Sequence, residues 1–385
     1  MFLKKVIERN PQLIDAAVSF HQQGVILPDT YILDLDMIEE NARKMVSSAE
    51  ENGIELFFMT KQFGRNPYVS KALVKNGIKH AVVVDFREAL VMMENDIPLG
   101  NVGHLVQIPK HLLKKVMHYG TKYITVYSLD KLKQIETVAN EIGIIQNVLL
   151  RVVSNDDELY EGQYGGFKLD ELEALIPYFR ELKHVQIKGI TSFPCFLYSG
   201  NDLDLKKTQN VQTINCAKKL LIENGFDLTE LNVPSATCSY TIPFIKKIGG
   251  TQGEPGHALT GTTPLHAVEN LVEKPAMVYV SEVSHQFNGQ SYIFGGGYYR
   301  RGHLDQVLLT DGMTRSMAKS GFFSNESIDY YLELEKQWPI GLTAIMSFRT
   351  QVFVTRSEVA VVKGIQSGKP EIVGIYDSQG KLLRR

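Results

Sequence analysis

Three cysteines in 385 residues, Cys195, Cys216 and Cys238, are too few and too scattered for a disulfide framework or a zinc-finger spacing. That scarcity points to a reducing cytoplasm and to no structural metal. A surplus of charge is missing as well: 41 Lys and Arg stand against 43 Asp and Glu, a net charge of −2. Without a basic stripe, nothing marks a nucleic-acid or membrane-surface partner. No apolar run reaches the roughly 18 residues of a membrane span. The opening MFLKKVIERNPQLIDAAVSFHQQG is amphipathic with charges scattered through it. It lacks the continuous apolar core and small-residue cleavage site of a signal peptide.

What the chain does have is alternation. From Tyr31 to Gly261, short apolar runs give way repeatedly to amphipathic ones. TYILDLDMIEENARKMVSSAEENG reads as strand then helix, with Asp36 as cap and Gly53 as stop. HAVVVDFREALVMMEN, YITVYSLDKLKQIETVANEIG and NVLLRVVSNDDELY with its following LDELEALIPYF repeat the pattern, as do VQIKGITSFPC and LTELNVPSATCSYTIPFI. ELFFMTKQFG and a short strand at HLVQI bring the strand-like runs to about eight, which suits a closed (β/α)8 barrel of TIM type better than an open sheet. After Pro264 the texture changes to strand-like runs with turns between them, as in PAMVYVSEVSHQFNGQSYIFGGGYY and TAIMSFRTQVFVTRSEVAVVKG. The expected division is an N-terminal helical extension over 1–27, a barrel over 28–265 and a C-terminal β domain over 266–385.

Lys61 ends the uncharged run Leu56-Phe57-Phe58-Met59, before Gly64 and Pro67 break it. By position alone it is either a solubilising strand-end lysine or a reactive amine aimed into a site. Other residues have the chemistry of an anion site. VPSATCS offers the hydroxyls of Ser235 and Thr237, and GEPGHALTG offers Gly253 and Gly256, where a side chain would block close backbone approach.

The order of these motifs (YILDLDMIEEN, a strand ending in lysine, NVPSAT, GEPGHALTG, then a β domain) resembles the alanine-racemase-like, fold-type III pyridoxal-phosphate enzymes, in particular their YhfX-type branch. The resemblance implies pyridoxal 5'-phosphate as cofactor and Lys61 as its Schiff-base lysine. Such a lysine must lose its proton to attack an aldehyde, and Phe57, Phe58 and Met59 would supply the desolvation that lowers its pKa. It also implies Ser235, Thr237, Gly256 and the backbone of His257 as the phosphate site. Where the racemases carry an arginine two residues before that glycine, this chain has Glu254, and its Glu-Pro-Gly resembles the decarboxylases of the same fold. A carboxylate there holds a proton on the ring nitrogen and strengthens the electron sink. Ser192, in Thr191-Ser192-Phe193, stands where the racemases have a histidine, and Tyr164, in the turn 162–167, where they have an arginine. The racemase arginine network therefore looks absent. His104, read as the start of the HLVQI strand, is a candidate to stack on the ring or touch substrate.

In the family a tyrosine of the partner subunit's β domain serves the second face of the reacting carbon. Tyr298, or its neighbour Tyr299, resembles it in YIFGGGYYRRGH, with Arg300, Arg301 and His303 as candidates for a substrate carboxylate or phosphate, arginine giving the bidentate geometry. FRTQVFVTRS, with Arg349 and Arg356, is a second cationic candidate. No cysteine follows Cys238, so the His-x-Cys zinc pair of the D-serine dehydratase relatives cannot form in the β domain. The expectation is an amino-acid racemase acting on a small-molecule amino-acid or amine substrate as a homodimer with shared sites. A decarboxylase of the same fold is the alternative, and a non-catalytic pyridoxal-phosphate protein is a further one.

Overall fold

The structure, a computed structural model, describes residues 2–200, 205–324 and 326–385. Two compact units divide the chain. One comprises Lys44–Thr60 and Leu73–Pro255; the other comprises Met1–Arg43, Lys61–Ala72 and Gly256–Arg385.

The first unit contains a closed barrel of eight parallel strands. Their order is Glu55–Met59, His80–Val83, Leu99–Val102, Tyr123–Val126, Gln146–Val153, Val185–Thr191, Glu230–Asn232 and Gln252–Gly253. The last pairs with the first through Gln252 with Glu55 and Gly253 with Leu56, so no edge remains. Buried apolar residues from several strands, including Phe57, Met59, Val82, Tyr123 and Leu149, fill the interior. The connecting helices are set by local chemistry. Leu129–Ile142 starts where the Ser128 side chain accepts from the Lys131 N–H, and it stops at Gly143 in the left-handed region. Its buried Leu132, Ile135 and Ala139 fall on one face at helical spacing.

The second unit is built on a mostly antiparallel sheet. Its main path runs Arg315–Lys319, Gln306–Thr310, Thr343–Met346, Met277–Phe287, Thr30–Asp34, Glu358–Lys363, Glu371–Asp377 and Leu382–Arg384. Helices Phe2–Arg9 and Pro11–Gln22 cover one face. Leu3, Val6, Leu13, Ile14 and Ala17 join Ile32, Val278, Leu308, Ile345 and Ala360 in one apolar cluster.

Three local expectations change. The strand Thr30–Asp34, read as the barrel's opening, pairs antiparallel with Met277–Phe287 and parallel with Glu358–Lys363 in the β domain. All five of its residues are buried, and such a run reads alike in any sheet covered on both faces. Gln252–Gly253 supplies the eighth barrel strand instead, putting the Glu-Pro-Gly motif at a strand's carboxyl end. The cap of helix Leu35–Asn52 is Asp34, whose Oδ1 accepts from the Met37 N–H, while Asp36 accepts from the Gly364 N–H. HLVQI forms no strand; the strand precedes it, and His104 lies beyond its carboxyl end.

Candidate active site

In the barrel unit, the carboxyl ends of three strands converge on Glu254. Asn101, from Leu99–Val102, donates to Glu254 Oε1 at 3.1 Å, and Asn232, from Glu230–Asn232, donates to the same oxygen at 3.0 Å. His104 Nε2 stands 3.7 Å from Oε2. Each carboxamide is fixed in turn: Thr125 donates to Asn101 Oδ1 at 2.8 Å, and Thr191 donates to Asn232 Oδ1 at 2.8 Å. The Glu254 side chain is fully buried. A buried carboxylate is costly unless donors surround it, and two side-chain amides on rigid strands supply them. The Glu254 N–H donates to Thr237 Oγ1 at 3.0 Å, which ties the acid to the Ser235–Thr237 turn.

That turn is buried. Ser235 Oγ accepts from the Cys195 N–H at 2.6 Å, which leaves its own proton to be donated elsewhere. Ser192 Oγ accepts from Asn210 at 3.1 Å. Burial pushes the Cys195 thiol up, with Asp157 adding to the shift, so this cysteine is an inert packing residue.

Tyr164 is two-thirds exposed. The turn that carries it is served by an arginine outside the turn. Arg151, buried in strand Gln146–Val153, donates to the Gln163 carbonyl at 2.7 Å and to the Tyr127 hydroxyl at 2.7 Å. Tyr127 donates onward to the His104 carbonyl at 2.5 Å. A guanidinium on a strand thus positions both the turn and His104. Asn101, Asn232 and Arg151 were all missed from sequence; polar residues within fully buried strands were the available signal.

In the other unit, Lys61 opens a 3₁₀ turn, Lys61–Phe63, two residues past the end of Glu55–Met59. Gly256 packs on that turn so closely that a Cβ would stand 2.6 Å from the Gln62 carboxamide. His257 Nδ1 lies 3.2 Å from Thr262 Oγ1, and its Nε2 accepts from Arg349 Nε at 3.4 Å. Burial, then the charges of Arg349 and Lys61, hold the His257 imidazole well below its usual range, so it is neutral.

The glycine run 295–297 is gripped from below. Tyr31 donates to the Gly297 carbonyl, and the Gly297 N–H donates to Tyr279 at 3.3 Å. Asp29 accepts from Tyr279 and Ser357. The run delivers Tyr298 into a buried position against Phe323 and Phe348, and burial pushes its phenol up. Tyr299 is half-buried and Arg301 exposed. The Arg300 guanidinium donates to the Ser324 and Ser327 carbonyls and lies 3.6 Å from Asp329.

Comparison with known proteins bears on this arrangement. Residues 33–264 match the alanine racemase N-terminal domain, and residues 278–372 match the YhfX-like C-terminal domain. The chain belongs to the alanine-racemase-like family. Members of this family depend on pyridoxal phosphate. The chain is 43% identical over 385 residues, all of both proteins, to the uncharacterised protein YhfX of Escherichia coli (strain K12). An alanine racemase of Clostridium difficile 630, solved with cycloserine, superposes with a TM-score of 0.65 at 16% identity, over 91% of this chain and 99% of that one. A D-threonine aldolase of Filomicrobium marinum superposes with a TM-score of 0.67 at 14% identity, over 92% and 95%. The shared fold thus spans more than one reaction. Among the described residues, no helix is long and apolar enough to cross a membrane, and no group of His, Cys, Asp and Glu has the geometry of a metal site.

Proposed function

We propose that this protein is a pyridoxal-phosphate enzyme that acts at the α-carbon of an amino acid, with racemisation as its reaction. The observation that carries the cofactor reading is the fully buried Glu254 carboxylate, held by Asn101 and Asn232 at the carboxyl ends of barrel strands, and the two-face pair of Lys61 and Tyr298 favours racemisation. The residue types, taken with the family resemblance, fit the cofactor. Glu254 suits a protonated ring nitrogen, the hydroxyls of Ser235 and Thr237 and the N–H groups at Gly256 and His257 suit a phosphate, and Lys61 suits the aldehyde. Gly256, where the Gln62 carboxamide leaves no room for a Cβ, keeps its backbone within reach.

When bound, pyridoxal phosphate draws electrons from the bonds of the attached α-carbon. The protein's own groups decide which bond yields. Glu254 keeps the proton on the ring nitrogen. Lys61 Nζ takes or returns the α-proton on one face. Tyr298 Oη serves the other face, and burial keeps that phenol protonated and ready to donate. The arrangement works as a homodimer in which each β domain contributes its tyrosine to the partner's site, and it is placed in the cytoplasm. Arg300, engaged by two carbonyls and Asp329, and its neighbour Arg301 are the candidate substrate cations. Decarboxylation is the second reading. It is favoured by Glu254 itself, because a proton held on the ring strengthens the electron sink enough to release CO2.

The test is an absorbance spectrum of wild type and Lys61→Ala before and after borohydride. The expected result is a visible band that reduction fixes covalently to wild type alone. A wild type that shows no such band after pyridoxal phosphate is added overturns the reading. Amino acids are then screened for loss of optical purity against release of CO2.

A further inference from the structure

Strand Thr343–Met346 ends at Met346, and the chain continues as Ser347-Phe348-Arg349-Thr350. Phe348 is buried against Tyr31, Tyr279 and Tyr298. Arg349, the next residue, is half-buried. Its backbone is fixed at both ends. The Arg349 N–H donates to the Gly302 carbonyl at 3.1 Å, and Thr350 Oγ1 donates to the Gln62 carbonyl at 3.3 Å. The second bond ties the arginine to the residue that follows Lys61. Gly302 permits the approach, since a Cβ there would stand 2.9 Å from the Arg349 carbonyl oxygen.

The side chain is aimed as well. Its Nε–H donates to His257 Nε2. The His257 Nδ1–H is then directed to Thr262 Oγ1 at 3.2 Å. This sets the tautomer: Nε2 carries the lone pair that faces the arginine. A neutral imidazole orients Arg349 without neutralising it. Among the described residues no carboxylate pairs with Arg349, and its two Nη groups have no hydrogen-bond acceptor. Other arginines of this unit are engaged differently: Arg356 donates to the Ile328 and Asp329 carbonyls, Arg384 is paired with Glu358, and Arg315 with Asp15. Arg349 is held beside His257 with its bidentate fork available.

We propose that Arg349 is the oxyanion-binding residue of this site, its two Nη groups taking a carboxylate of the amino-acid substrate or the phosphate of the cofactor. The proposal rests on the cofactor reading above and adds to it the group that recognises the negative charge. A planar fork matches either oxyanion with two parallel N–H donors.

The test uses wild type, Arg349→Gln and Arg349→Lys, each loaded with pyridoxal phosphate, and follows the visible band on titration with two aldehyde-trapping reagents. Aminooxyacetate carries a carboxylate; methoxyamine does not. If Arg349 binds the substrate carboxylate, wild type prefers aminooxyacetate by about tenfold to a hundredfold, the range for a charge-assisted hydrogen bond. Arg349→Gln then loses that preference while its response to methoxyamine is unchanged, and Arg349→Lys keeps part of it. If the arginine binds the phosphate, Arg349→Gln binds pyridoxal phosphate about tenfold or more weakly and the reagent preference is unaltered. Both results support the proposal and separate its two sources. Unchanged cofactor affinity together with unchanged preference overturns it while leaving the cofactor reading intact. A wild type that never acquires the band removes both.

Discussion

Asn232 and Glu254 lie at and just past the ends of neighbouring parallel strands, and the Asn232 amide donates to Glu254 Oε1 at 3.0 Å. The same amide also reaches the Gln252 carboxamide oxygen at 3.2 Å. An asparagine so placed holds the acid's orientation without supplying a compensating charge. In Glu254→Gln the two asparagine donors still find an oxygen, so the fold should survive with a melting temperature near that of wild type. Turnover should fall by about tenfold to a hundredfold, because a charge-assisted bond to the ring nitrogen is lost. The visible band should persist, since Lys61 is untouched. A variant with undiminished turnover would show that Glu254 does not act on the ring.

Asp29 offers a pH-dependent stability. Burial raises its carboxyl to about 6 from an ordinary 3.8, against hydrogen bonds from Ser357 and Tyr279 and the charge of Arg356 that pull it down. A raised carboxyl favours the folded state fully below the unfolded value, and that contribution is lost as pH rises through about 6. The difference is worth about 3 kcal/mol. In Asp29→Asn one oxygen can still accept from both hydroxyls, and asparagine tolerates the left-handed backbone found there, φ 67°. The variant should match wild type near pH 4 and exceed it in melting temperature above pH 6. A difference that does not change with pH would rule out titration of this carboxyl as its cause.

The link from Arg151 through Tyr127 to the His104 carbonyl can be broken at its middle. Tyr127→Phe leaves a buried guanidinium nitrogen and a carbonyl without their shared partner, at a cost of about 1–3 kcal/mol each way the bond is counted. Combining it with Arg151→Met should cost less than the two single changes together, because the pair shares one network. Chemical denaturation of the four proteins checks this, and strict additivity would mean the two side chains act separately.

Gly256→Ala tests the close approach to Gln62. The new Cβ has to displace a buried carboxamide beside Lys61, an overpacking cost of about 1–3 kcal/mol. Affinity for pyridoxal phosphate should fall measurably in a fluorescence titration, whereas Gly225→Ala, strained by its φ of +86° but with no atom near the new Cβ, should leave it unchanged. Equal cofactor affinity in the two variants would remove Gly256 from the phosphate site.

Much of the fold was legible because its signals are local. Short buried runs, amphipathic helices, the Ser128 cap and the stops at Gly53 and Gly143 are each written within a few residues. So is the position of Lys61 just past an apolar strand, and the Glu-Pro-Gly just past another. What misled was strand partnership. The buried five-residue strand at Thr30–Asp34 has the apolar character of a barrel strand, and only its pairing assigns it to the β domain.

The sequence by itself determined the alternation of elements, the change of texture after Pro264, the order of motifs that gives the family, and the residue types able to hold an anion, a ring nitrogen and an aldehyde. The tertiary structure alone decided which of them meet. Asn101 reaches Glu254 across 153 residues, and Arg349 reaches His257 across 92. Neither contact leaves a periodic trace in the chain, because hydrophobic patterning records which faces are buried but not which buried faces adjoin. Barrel closure and sheet pairing make that choice. They bring donors from distant strands onto one carboxylate and aim one neutral histidine at one arginine.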